Sequence, residues 1–376
     1  MKKIGIATVY TGYNYGSALQ AYATKKILSG MGYQADVLKV KGSLVQGRDI
    51  RLGKLITIAW RSILHKDGIK SLKNYGTNMS KEFGQGTVEL FNTFLGNEIS
   101  PELISYGDLR KKAKGDEYVA FVCGSDQVWN SAVFYVDPFY YLRFAPFEKR
   151  IAFAPSFGRD FVPDYNKKKI GKFVSEIKYK SVREASGVDI IKELTGEDST
   201  VLIDPTLVLS CTEWSSLLNI EQSEKGKYLL AYFLDSPSPK AKQAIKFISE
   251  KYGLEIISLP YIFKDEYSNN VKSAGPREFV EYVKNAAFVC TDSFHGTAFS
   301  LNFNIPFFTF ERKYGNAGKQ SARIESILKM TEHLNRYEAD DFDLCMDISF
   351  EKSNEILDLE RKRSREYLAS TLKERM

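Results

Sequence analysis

Four short stretches carry side chains able to do chemistry. The first is Ala287–Ser300, AFVCTDSFHGTAFS, in which an apolar run ends in Thr291-Asp292-Ser293 and is followed by His295-Gly296. A carboxylate, a hydroxyl and an imidazole on one strand-to-helix turn supply a general acid, a general base and hydrogen-bond donors. The free N–H groups of the first helical turn add an anion site. N-capping of the following helix is an equally good use of Asp292 and Ser293. The second stretch, Gly124-Ser125-Asp126-Gln127-Val128-Trp129-Asn130, follows the apolar run Glu117–Cys123 and is dense in hydrogen-bonding side chains. The third is Arg183-Glu184, where a fixed cation can clamp a carboxylate or a phosphate, or pair with an acid. The fourth is the basic, glycine-rich segment Glu311–Lys319 leading to a helix that begins near Ser321, with Arg323 in its first turn.

These stretches need a scaffold, and the apolar periodicity provides one. Lys3–Tyr10 reads as a strand, the loop Thr11–Gly16 as a tight turn, Ser17–Gly30 as a helix and Ala35–Val40 as the next strand, a βαβ unit. The first turn is not GxGxxG, so it does not point to a dinucleotide. Further strands are expected at Glu117–Cys123, Arg150–Pro155, Lys180–Val182 and Thr200–Ile203. The pattern restarts after Asp204-Pro205 with strands at Lys227–Leu234, Leu254–Leu259, Ala287–Thr291 and Pro306–Phe310, alternating with helices. The expected fold is α/β, with two Rossmann-like domains whose parallel sheets face each other across a cleft. Residues 1–207 form the N-terminal domain, with a helical excursion over about 41–115; residues 208–345 form the second; residues 346–376 form a C-terminal helix. Open α/β folds bind ligands at the carboxyl ends of their strands, where all four stretches fall. Lys167-Lys168-Lys169 reads as a solvated helix face.

Bulk properties narrow the class. A chain of 376 residues exceeds one ordinary core. The net charge of +6 is compatible with an anionic substrate or an acidic membrane surface and too small to argue for nucleic acid. Four cysteines without paired spacing point to reduced thiols, and no zinc pattern is present. Asp340-Asp341-Phe342-Asp343 reads as an acidic loop without further ligands. No run reaches transmembrane length. The expectation is a cytoplasmic protein, compatible with peripheral contact at the inner face of a membrane, with no metal and no cofactor.

Several motifs in order resemble the polysaccharide pyruvyl transferase family over roughly residues 3–330. They are Asn14-Tyr15-Gly16 with Leu19, Gln20, Tyr22 and Ala23; CGSDQVWN at Cys123–Asn130; APSFG at Ala154–Gly158; SVRE at Ser181–Glu184; DPTL at Asp204–Leu207; and TDSFHG at Thr291–Gly296. The resemblance implies a GT-B-like fold and transfer of pyruvate from phosphoenolpyruvate to two hydroxyls of a sugar, closing a cyclic ketal. The implied acceptors are cell-surface glycans of capsule or exopolysaccharide type, or their polyprenyl-diphosphate-linked precursors. On that reading His295 protonates C3 of the donor or holds its phosphate, and Asp126 or Asp292 acts as base or orients the acceptor. Arg183, Ser293, Phe294, Gly296, Arg312, Lys319 and Arg323 form the donor side. Asn14, Tyr15, Gly16, Gln20, Ser125, Gln127 and Trp129 form the acceptor side. Relatives often carry arginine two residues before the histidine, where this chain has Ser293; Arg312, Lys319 and Arg323 are the candidate replacements. The alternatives are a sugar-nucleotide-dependent glycosyltransferase on the same scaffold and a non-catalytic glycan- or lipid-carrier-binding protein.

Overall fold

The computed structural model describes residues 1–40, 56, 59–60, 83–221, 226–259, 270–312, 322–343 and 345–373. Among them, eleven strands form two main parallel sheets and one small one. The first sheet contains β1 (Lys3–Ala7), β2 (Gln34–Val40), β3 (Glu102–Ile104), β4 (Tyr118–Cys123) and β5 (Arg150–Ala152), in the order β3-β2-β1-β4-β5. β6 (Ser181–Val182) and β7 (Thr200–Val201) pair with each other. The second sheet contains β8 (Tyr228–Tyr232), β9 (Glu255–Ser258), β10 (Phe288–Thr291) and β11 (Phe307–Thr309), in the order β11-β10-β8-β9. Every pairing is parallel.

The sequence explains the central strands. β4 (YVAFVC) and β10 (FVCT) are apolar on both faces and almost wholly buried, as a parallel sheet covered by helices on both sides requires. Two helices are buried nearly all round, Tyr15–Gly30 and Phe294–Phe303, and so lie inside the molecule rather than on its skin. Tyr15 joins the two halves. Its ring stacks on Phe91 at 5.0 Å and on Phe279 at 4.9 Å, and its hydroxyl donates to the Ala274 carbonyl at 3.2 Å. One hydrophobic cluster holds Ile4 and Ile6 from the first sheet together with Leu230 and Val289 from the second. The C-terminal helix, Glu351–Lys373, straps across both. Arg361 donates to Leu207 O and Asn302 Oδ1, and six residues on Tyr367 donates to Ala152 O at 3.0 Å.

The expected strands are present, most of them with shortened ends, and two features differ. β3 lies inside the stretch expected to be a helical excursion; three residues between two helices carry too little alternation to show a strand. Asp204-Pro205 opens a helix, Pro205–Val208, followed by another, Cys211–Leu217, where only a turn was expected. Asp204 caps the first helix and proline takes its first position, a start signal as much as a turn signal. Most of the first half of the expected excursion over about 41–115 lies outside the described residues.

Candidate active site

Five strand ends deliver the chemistry to one place. The β4 end carries Ser125 and Asp126, the β6 end carries Arg183, and the chain leaving β7 carries Asp204. The β10 end brings His295, and the helix that follows β1 brings Gly16 and Ser17 in its first turn.

Asp204 is the hub. Its Oδ2 accepts from Arg183 Nη1 at 2.6 Å and from Ser125 Oγ at 2.9 Å; its Oδ1 accepts from the Thr206 amide at 3.0 Å and hydroxyl at 2.8 Å. Burial by itself pushes this carboxyl up. The Arg183 charge, then His295 and the Thr206 amide, outweigh burial and hold it at about 2. Arg183 is buried too, and the acids around it, Asp204 first, raise its pKa despite burial. The Arg183–Glu184 distance is 3.9 Å, so the close pair is with Asp204. Glu184 instead fixes the APSFG loop, accepting at one oxygen from Ser156 Oγ and the Phe157 amide.

His295 lies against this pair. Its Nε2 is 3.9 Å from Asp204 Oδ1, too long for a hydrogen bond and close enough for charge attraction. Burial lowers its pKa; Asp204 and Asp126 oppose that, Arg183 and Arg323 reinforce it, and the net direction is down. The imidazole is therefore neutral near pH 7 in the free chain. Its other edge rests on Gly16, where a Cβ would fall 1.9 Å from Nδ1. Asp126 accepts from Ser17 Oγ at 2.5 Å, and the Arg183 charge, with that hydrogen bond, lowers its pKa against burial. Its backbone φ of +59° is uncommon for a side-chain-bearing residue and aims the carboxylate inward from the loop. The preceding Gly124 has φ +106° and passes so close to β5 that a Cβ would meet Phe153 O at 2.3 Å.

Phe294 carries two guanidinium groups over its ring, Arg183 at 4.6 Å and Arg323 at 6.0 Å. Burial, then Arg183, lowers the Arg323 pKa to about 10, so it stays charged. With the Gln127 amide oriented to suit its neighbours, Gln127 oxygen accepts from Arg323 Nη1 at 3.0 Å. Four buried nitrogens at this spot have no hydrogen-bond partner: Arg183 Nε and Nη2, Arg323 Nε, and His295 Nε2. Buried donors left without acceptors are costly, and here they converge with two positive charges. The arrangement is that of an anion site.

The remaining expected residues divide. Asp292 is engaged by the backbone: it accepts from the Leu234 and Asp235 amides at 2.6 and 3.0 Å, and Arg312 Nε approaches at 3.3 Å. Burial raises its pKa. Those contacts make Asp292 and Arg312 a brace for the β8 and β10 loops rather than a base and a donor clamp. Ser293 caps the Phe294–Phe303 helix, accepting from the Gly296 amide at 3.4 Å. Gly296 packs over Thr291. Lys319 lies outside the described residues. On the acceptor side, Asn14 caps the Tyr15–Gly30 helix. Tyr15, Gln20 and Trp129 are fully buried and have no surface to offer a sugar. Gln20 is used up on Thr8, Val9 and Ser17, and Trp129 stacks on Tyr141 at 5.3 Å. Asp204 and Ser17 were not singled out as site residues. The DPTL motif was the available signal for Asp204, but a cap and a catalytic pair look alike in one dimension.

A cavity of about 800 Å³ opens beside the cluster. It lies at the carboxyl ends of β1 and β2, against Thr8, Thr11, Leu38 and Val40. Thr8 links it to the cluster by a 3.4 Å hydrogen bond to Ser125 O. Among the described residues no group of acidic, histidine or cysteine side chains could hold a metal ion, and no helix is long and apolar enough to cross a membrane.

The chain is thus an α/β protein with parallel sheets and a buried acid–imidazole–arginine cluster at their carboxyl ends. The polysaccharide pyruvyl transferase family model matches residues 14–314, and the chain belongs to that family, whose members are transferases acting on polysaccharide. No curated protein matches the sequence. Among solved structures, the chain is similar to UDP-GlcNAc 2-epimerase from Neisseria meningitidis bound to UDP-GlcNAc (9% identity, 96% of this chain and 100% of that one, TM-score 0.44). It is also similar to UDP-N-acetylglucosamine 2-epimerase from Rickettsia bellii (11%, 99% and 97%, TM-score 0.45) and to MurG from Acinetobacter baumannii (12%, 99% and 94%, TM-score 0.41).

Proposed function

We propose that this chain transfers pyruvate from phosphoenolpyruvate to a sugar of a glycan, forming a cyclic ketal. Family membership supports the class of reaction. The observation that carries the donor is the set of four unpartnered buried nitrogens on Arg183, Arg323 and His295. Phosphoenolpyruvate brings a carboxylate and a phosphate, and two arginines with a neighbouring imidazole match two anionic groups. Arg323 takes the place of the arginine that Ser293 does not supply.

The roles follow from the chemistry. A sugar hydroxyl adds to C2 of the donor and gives its proton to Asp126, which is held ionised for the task. C3 takes a proton from His295, which must first acquire one. The donor's negative charge raises the imidazole pKa on binding, and Asp204 stabilises the imidazolium. A second hydroxyl then displaces inorganic phosphate, closing the ketal and releasing its proton. Arg183 and Arg323 hold the departing charge.

The test has two readouts. Phosphoenolpyruvate is expected to raise the melting temperature, since a ligand binding only the native state stabilises it. With a glycan acceptor, inorganic phosphate and a ketal should form in equal amounts, and a folded His295→Asn protein should form neither. A melting shift from sugar nucleotides but not from phosphoenolpyruvate would make the chain a glycosyltransferase. Binding without turnover would make it a non-catalytic binding protein.

A further inference from the structure

The 800 Å³ cavity is the size of a small-molecule site, about 300–1,000 Å³. It shares no wall residue with the arginine–histidine cluster, yet it abuts the loop that carries Asp126: Thr8, on the cavity wall, donates to Ser125 O at 3.4 Å. The wall combines two chemistries. Six of its seventeen residues are aromatic, including Tyr10, Tyr135 and Tyr140, which offer flat faces with polar edges. Four are cationic and only Asp137 is acidic, and that carboxylate already caps a turn by accepting from the Phe139 amide. Lys39 and Arg110 are exposed, and among the described residues neither has an ion-pair partner. Lys169, expected from sequence on a solvated face, is half-buried over the Tyr135 ring at 4.9 Å and the Phe173 ring at 5.6 Å.

We propose that this cavity is the acceptor site and that it selects a pyranose bearing one negative group, with the ring on Tyr10, Tyr135 and Tyr140 and the charge at Lys39, Arg110 and Lys169. The inference rests on the pyruvyl-transfer reading for the word acceptor, but binding of the charged sugar does not depend on it. A neutral sugar would need aromatic faces and hydrogen-bond partners alone. The surplus of three positive charges on the wall, two of them without an ion-pair partner among the described residues, fits an anion held beside the ring. A phosphate on the sugar and a carboxylate at its C6 share this chemistry.

The experiment titrates the full chain, without phosphoenolpyruvate, with glucose, glucose 1-phosphate, glucuronate and inorganic phosphate. Either or both charged sugars are expected to bind at least roughly tenfold more tightly than glucose and than phosphate alone, the preferred one identifying the source of the charge. Arg110→Gln, at an exposed position, should remove most of that preference, as should Lys39→Gln; Tyr140→Leu should weaken all sugars alike. The phosphoenolpyruvate melting shift should be unchanged in Arg110→Gln and Lys39→Gln. Equal binding of glucose and the charged sugars would overturn the proposal, as would a charge preference that survives both cation variants. Competition between phosphoenolpyruvate and glucose 1-phosphate for one site would overturn it too, by making the cavity the donor site. Absence of a phosphoenolpyruvate shift with charged-sugar preference intact would sink the donor reading and leave this one standing.

Discussion

Gly16 and His295 come from opposite halves of the sequence and touch: a Cβ on Gly16 would lie 1.9 Å from the imidazole Nδ1. Gly16 opens the first long helix and His295 opens a helix after β10. The histidine is thereby pressed toward Asp204 and Arg183.

Gly16→Ala is expected to displace the imidazole. Overpacking of a tight site costs about 1–3 kcal/mol. A displacement near 1 Å can cost on the order of a hundredfold in rate. Turnover should therefore fall far more than the melting temperature. A variant with wild-type kcat would show that the ring position is not critical.

Asp204→Ala is expected to destabilise the chain by about 3–5 kcal/mol, because it strands the buried Arg183 charge. Chemical denaturation measures this. The double variant Asp204→Ala with Arg183→Met should recover part of the loss. No recovery would mean that the pair is not the source of the cost.

Stability should fall with acid in two stages. His295 has a folded pKa below its ordinary value, so as pH drops below about 6.5 the unfolded chain binds more protons and stability declines. Asp204 has a folded value of about 2 against 3.8, so its contribution is present above about pH 4 and is lost as pH falls toward 2. The second stage amounts to about 2 kcal/mol. Denaturation across pH 2–8, compared between the wild type and His295→Asn, isolates the first stage; an unchanged profile contradicts it.

Phosphoenolpyruvate binding should take up protons at pH 7, approaching one per site. The imidazole starts neutral and is recharged by the bound anion. Calorimetry in buffers of different ionisation enthalpy reads the uptake directly, and His295→Asn should abolish it. Uptake that persists in the variant would move the proton elsewhere.

Tyr367→Phe removes one hydrogen bond, to Ala152 O, between the C-terminal helix and β5. The expected loss is about 1 kcal/mol in stability with little change in kcat. A large loss of turnover would give the helix a part in positioning the two halves.

The succession of strands and helices was legible because apolar runs of four to six residues, bounded by Gly, Asp and Pro, write parallel strands plainly. Asp126 and His295 stood out in the sequence because each closely follows such a run, and Arg183 because it follows a short strand; the structure brings the three together at the carboxyl ends of the strands. Tyr15 and Trp129 misled because a motif position and a core position can have the same residue type; their burial by Phe91, Phe279 and Tyr141 involves contacts made only in three dimensions.

Sequence by itself determined the α/β class, the family and the strand-end turns that bear acid, cation and imidazole, since these rest on local periodicity and short motifs. Tertiary structure alone decided which turns meet. It set Asp204 rather than Asp292 beside His295, brought Arg323 over the Phe294 ring, and turned Lys169 from a solvated run into a cavity wall. The physical reason is distance along the chain: these partners are separated by 29 to 91 residues. Charge pairing and desolvation act only after the two sheets have packed.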